Sequence, residues 1–116
     1  VNRLSVAVEE TPAGPVVRVV GDLDYDSADL LRTAVRGLAV APGALLVLDL
    51  AELTFCDSSG ITAFIAAREH ARSAGGDAAL AAVPHNTARI LRIVGVDRIL
   101  RVYPDAAAAR AAPRDA

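Results

Sequence analysis

The chain contains no lysine, no methionine and no tryptophan, a single cysteine, and only two Tyr and two Phe. Each shortage closes a class of function. Without Lys there is no Walker-type phosphate loop, and the G-x-G-x-x-G spacing of a dinucleotide loop is missing as well. One Cys excludes an internal disulfide and a multi-cysteine metal site. So few aromatics leave no stacking platform for single-stranded nucleic acid. The twelve basic residues, all Arg, are scattered among fourteen acids instead of forming a stripe, which also argues against nucleic acid. No apolar run approaches the ~18 residues of a membrane span, and no signal-peptide pattern opens the chain. The expectation is a soluble cytoplasmic domain with neither a membrane nor a nucleic-acid partner.

What the chain does have is aliphatic core material. Hydrophobic residues make up 53% of the 116, almost all of them Ala, Val, Leu and Ile. A chain of this length forms one domain that buries about two-thirds of its unfolded surface. Small aliphatic side chains suit helices layered closely on a sheet.

Hydrophobic periodicity gives the order of elements. Leu4, Val6 and Val8 alternate with polar or small residues, as in a half-buried edge strand, which permits pairing with another chain without requiring it. Thr11-Pro12-Ala13-Gly14-Pro15 is too short for a crossover, so the strand at Val16–Val20 pairs antiparallel with the first. Leu31, Ala34, Val35 and Leu38 form a helical stripe, capped by Asp26 or Ser27. Leu45–Leu50 reads as a strand covered on both faces. A second helix carries Ile61, Phe64, Ile65 and Ala71 and stops at Gly75-Gly76. Then come an Ala-rich strand, Asp77–Val83, and a third helix capped by Asn86 or Thr87, with Ile90, Leu91 and Val94 facing inward. A short strand over Ile99–Tyr103 and a final helix after Pro104-Asp105 complete the chain. This is an α/β domain: a mixed, mostly parallel sheet of four to five strands, an antiparallel N-terminal strand and about four helices. It is expected to span residues 1–112, with 113–116 as a disordered tail. Monomer is the expected state.

Two stretches carry candidate chemistry. Right-handed crossovers place the Gly21-Asp22-Leu23-Asp24-Tyr25-Asp26-Ser27 loop and the Asp57-Ser58-Ser59-Gly60 turn on the same sheet edge, where ligands and partners are met in parallel α/β folds. A nucleophile elbow needs Gly-x-Ser-x-Gly, but Cys56 and Asp57 stand where the leading Gly should be. His70 and His85, the only histidines, are poorly placed as a base. Asp22, Asp24 and Asp26 alternate, and in an extended segment would share one face. As a calcium loop counted from Asp22, however, the sixth and twelfth positions hold Ser27 and Thr33, where Gly and Glu are required. No metal or other cofactor is expected. Cys56, beside Asp57, reads as an inert core thiol. Chemistry alone leaves Ser58 and Ser59 as helix caps or as phosphate acceptors. A phosphate here would meet a helix N-terminus and add about -1.5 to -2 charges to an already acidic patch.

Gly21-Asp22-Leu23-Asp24 resembles a segment of the anti-sigma factor antagonists, members of the STAS domain family. So do Leu48-Asp49-Leu50 with Phe55-Cys56-Asp57-Ser58-Ser59-Gly60-Ile61, and Gly95-Val96-Asp97-Arg98-Ile99-Leu100 with Val102-Tyr103. The blocks occur in the family's order and span nearly the whole chain. The resemblance implies a non-enzymatic binding domain whose unphosphorylated form binds an anti-sigma factor, usually a serine-protein kinase, and so frees a sigma factor for transcription. It implies Ser58 as phosphoacceptor, with Asp22, Asp24, Asp57, Ser58, Ser59, Gly60 and Ile61 at the partner surface. A PP2C-type phosphatase would then act on phosphorylated Ser58. Cys56 stands where Met or Leu is more usual, and Leu100 where Phe is frequent. The alternative is a scaffold or small-ligand module in a larger complex, holding an anion at the same helix start and never phosphorylated.

Overall fold

The computed structural model describes residues 2–113. In chain order the elements are β1 (Ser5–Thr11), β2 (Gly14–Leu23), α1 (Ala28–Arg36), β3 (Leu45–Asp49), β4 (Leu53–Cys56), α2 (Ser58–Ser73), β5 (Asp77–Ala81), α3 (His85–Val94), a 3-10 turn (Val96–Arg98), β6 (Arg101–Tyr103) and α4 (Ala106–Ala111). β1 and β2 form the antiparallel hairpin expected from the Pro12-Ala13 turn, which Thr11 closes by donating its hydroxyl to the Gly14 carbonyl at 2.7 Å. All other pairings are parallel, and the strand order is β1-β2-β3-β5-β6 with β4 also on β2.

β3 explains its own continuous apolar run. Leu46 and Leu48 point into the larger core with Val17 and Val19 of β2, Leu31 and Val35 of α1, and Phe64 and Ala67 of α2. Leu45 and Val47 point the other way, into a smaller cluster with Ala79, Ala81 and Ala109 of α4. A strand buried on both faces has no polar side to alternate with.

Among the described residues the sheet has six strands, one more than the largest number expected. The additional strand is β4, four residues between the Ala51-Glu52 turn and α2, too short for periodicity to register. β2 makes room for it. Its first half pairs with β3 (Val16–Arg18 against Val47–Asp49), and its last residues, past the end of β3, pair with β4.

Three further expectations are corrected. In α3 only Thr87 and Leu91 are buried, four residues apart on one stripe, while Ile90 and Val94 are exposed. The N-cap position of α3 is Pro84, not Asn86 or Thr87; its fixed φ (-58°) leads straight into the helix, with Thr87 inside it. The last strand starts at Arg101 instead of Ile99, because the 3-10 turn occupies Val96–Arg98. Of the expected tail, residues 114–116 lie outside the described residues. Among the described residues, no helix is long and apolar enough to cross a membrane.

Candidate functional site

The site is built where β2 leaves the sheet. Gly21 has φ +101°, and a Cβ there would run into the Arg3 carbonyl oxygen, so no other residue fits. Its N–H donates to the Glu52 carbonyl (3.1 Å), and the next N–H, of Asp22, donates to the Asn2 carbonyl (2.8 Å). At this point the β2–β4 register shifts. Gly21 faces Leu53 and Asp22 faces Phe55, which leaves Thr54 as an extra residue between them. Such an irregularity re-aims side chains. Without it, Leu53 and Phe55 would share a face; with it, Leu53 is buried and Phe55 is 52% exposed.

Thr54 uses its position to hold Asp22. Its hydroxyl donates to Asp22 Oδ1 at 2.6 Å, and the Asn2 N–H donates to Oδ2 at 3.1 Å. Both bonds favour the ionised carboxylate, the threonine one most, and hold its pKa below the ordinary 3.8. Only Asp22 of the three alternating acids lies in a strand. Asp24 turns back, its Oδ1 accepting from the N–H groups of Asp26 (3.0 Å) and Ser27 (3.1 Å). The Ser27 hydroxyl donates to the Asp22 carbonyl (2.9 Å) and accepts from the Asp24 N–H (2.9 Å). Ser27 occupies the N-cap position of α1, but makes no capping bond with its side chain. The loop is thus fixed by its own acids, and Tyr25 is left 83% exposed at its tip.

The serine turn is fastened to this loop by the Asp57 N–H, which donates to the Leu23 carbonyl at the end of β2 (3.2 Å). Asp57, extended at φ -107°, is the N-cap of α2: its carboxylate accepts from the Ser59 N–H at 2.8 Å. Neither serine is therefore needed as a cap. Ser58 is exposed and Ser59 half-buried. The Ser58 hydroxyl has no hydrogen-bond partner among the described residues, while its carbonyl accepts from the Thr62 hydroxyl (3.0 Å). Gly60 and Ile61 are buried beneath them. A Cβ on Gly60 would lie 2.6 Å from Cys56 Sγ and 2.8 Å from Leu23, so glycine is what lets the helix start sit against β2 and β4. Burial, and then the Asp57 charge, push the Cys56 thiol up to about 12, and at neutral pH it is an unionised core group.

Among the described residues, neither histidine stands by these serines as a base. His70 lies on the far part of α2 with Nε2 2.8 Å from the Leu38 carbonyl, and His85 is exposed at the start of α3. Among the described residues, no group of three or more His, Cys, Asp or Glu side chains converges as a metal cage. A hollow of about 440 Å³ runs between α1 and α2, lined by Arg32, Val35, Ala67 and His70 among others; it includes neither the acidic loop nor the serine turn. Sequence reasoning passed over three exposed apolar side chains around the junction: Tyr25, Phe55 and Leu30 in the first turn of α1. Tyr25 could have been noticed as an aromatic set between two acids. Phe55 could not, since its exposure depends on the register shift.

Comparison with known proteins agrees with this architecture. A family model described as "Mlab, STAS domain" matches residues 6–102. The anti-sigma F factor antagonist of Paenibacillus polymyxa is 27% identical over 101 residues, 86% of each chain. The crystal structure of an anti-sigma factor antagonist from Mycobacterium paratuberculosis superposes with a TM-score of 0.77 at 28% identity, covering 90% of this chain and 89% of that one. The same fold, at 17% identity and a TM-score of 0.63 over 84% of this chain and 90% of the other, is found in the Bacillus cell fate determinant SpoIIAA solved in its phosphorylated form. With the family model spanning nearly the full sheet, the chain belongs to the STAS domain family.

Proposed function

We propose that this domain is an anti-sigma factor antagonist that works as a phosphorylation switch. In its unphosphorylated state it binds an anti-sigma factor that is also a serine-protein kinase, and so releases a sigma factor. Phosphate transfer to Ser58 ends the complex, and a PP2C-type phosphatase restores it. The domain itself catalyses nothing. Its relatives' names supply the partner class, and the phosphorylated form of a protein with this fold supports the modification.

The observation that carries the reading is the division of labour at the start of α2. Asp57 satisfies the helix terminus, which frees the Ser58 hydroxyl at the surface beside the Asp22–Ser27 loop. A phosphate on that hydroxyl is tolerated by the fold, because it sits at a helix N-terminus on an exposed side chain. It is not tolerated by a partner docked over Tyr25, Phe55 and the acids, where it adds about -1.5 to -2 charges to a desolvated contact.

Incubation with ATP and the cognate kinase, read by intact mass, tests the assignment. The wild type and Ser59→Ala should each gain one phosphate, and Ser58→Ala none. A phosphate retained by Ser58→Ala would move the switch to another residue; none on any form would favour the scaffold reading.

A further inference from the structure

We propose that the β6 edge of the domain is a second docking surface, and that its occupant is the acidic face of another copy of this chain, bound head to tail. The inference shares the Tyr25 face with the switch described above, but needs neither kinase nor phosphate. β6 is the last strand of the sheet, and the 3-10 turn packs on both it and α3. Along this edge five aliphatic side chains are exposed: Ile90, Ile93, Val94, Ile99 and Val102, with Ile93 at 77%. An edge strand flanked by apolar side chains invites pairing, and natural proteins usually blunt such edges or cover them.

Charge decides what can cover it. The stretch 85–101 holds four of the twelve arginines and one acid, in a chain whose net charge is -2. Arg89, Arg92 and Arg98 are exposed around the aliphatic group. A symmetric contact of this edge with itself would set those arginines against their own copies, an unfavourable arrangement. The occupant must instead combine an apolar centre with acids. The chain carries such a surface at its other working face, where Tyr25, Leu30 and Phe55 are exposed among Asp22, Asp24, Asp26 and Asp29. The two surfaces lie on opposite sides of α2: α1 packs along one side, and Arg68 of α2 reaches the Ile99 carbonyl on the other (3.1 Å). Opposite surfaces on one molecule give a heterologous contact that can propagate. Because it occupies the Tyr25 face, such a contact competes with any partner that docks there.

Sedimentation equilibrium of the chain alone, over a range of concentrations, tests this. The wild type should show a mass rising beyond the dimer at low salt, and falling back to the monomer near ~0.5 M salt, where charges more than about 4 Å apart are screened. Ile93→Asp, at an exposed position, and Tyr25→Ala with Asp26→Arg should each remain monomeric. Mixed together they should form a 1:1 dimer and nothing larger, since each retains one intact surface. Arg92→Glu should reproduce Ile93→Asp if that variant proves unstable. A wild type that stays monomeric at every concentration overturns the proposal, as does a mixture that fails to dimerise. So does a monomeric wild type that floats with phosphatidylglycerol vesicles through Ile93, which would make the occupant a membrane.

Discussion

Asp22 and Asp57 are acids of the same site with different work. Asp22 is a brace: Thr54 and the Asn2 backbone hold its two oxygens and lock the end of β2 to β4. Asp57 is a cap, and its replacement by Ala should cost about 0.5–2 kcal/mol of stability, as for other N-cap losses. The brace has a pH signature. Because the folded pKa of Asp22 lies below its ordinary 3.8, its stabilising effect is complete above the unfolded value. The effect is lost as pH falls through the lower folded value. Carboxyl NMR titration should show Asp22 ionising below 3.8, and Thr54→Val should move it back up toward that value. An unchanged titration in the variant would remove Thr54 as the cause.

At the scale of elements, the start of α2 is set by Gly60. Its neighbour Leu23 is fully buried and cannot yield to a Cβ, so Gly60→Ala should force the helix start off the β2–β4 pair. Over-packing of this kind costs about 1–3 kcal/mol, measurable as a lower denaturant midpoint with unchanged slope. The same elements show what could be read from the sequence. β3 and α2 were legible because their burial is periodic or continuous over enough residues to exceed noise. β4 was not, since four residues carry barely two periods of alternation. Its bulge at Thr54 then reverses the face that Phe55 would otherwise occupy. Of the four large aliphatic positions in α3, periodicity picks out Ile90, Leu91 and Val94 as inward-facing, and nothing local says that the helix touches the sheet along the Thr87–Leu91 line alone. The candidate serines were visible as a turn between a strand and a helix. That Asp57 does the capping, and so leaves both serines free of it, is a property of backbone geometry.

For the whole molecule, the charge is distributed unevenly. Acids gather where β2, β4 and α2 meet, and arginines gather along the opposite, β6 side. The proposed phosphate on Ser58 would deepen the first patch without touching the core beneath it, where Phe64 and Leu23 are fully buried. The change therefore belongs to binding more than to folding. The most direct measurement is a calorimetric titration of the proposed partner, an anti-sigma factor with serine-kinase activity, with wild type and Ser58→Asp, alongside the thermal unfolding of each. Ser58→Asp should bind at least tenfold more weakly, about 1.4 kcal/mol, with its unfolding temperature nearly unchanged. Equal affinity of the two proteins for that kinase would contradict the proposed switch.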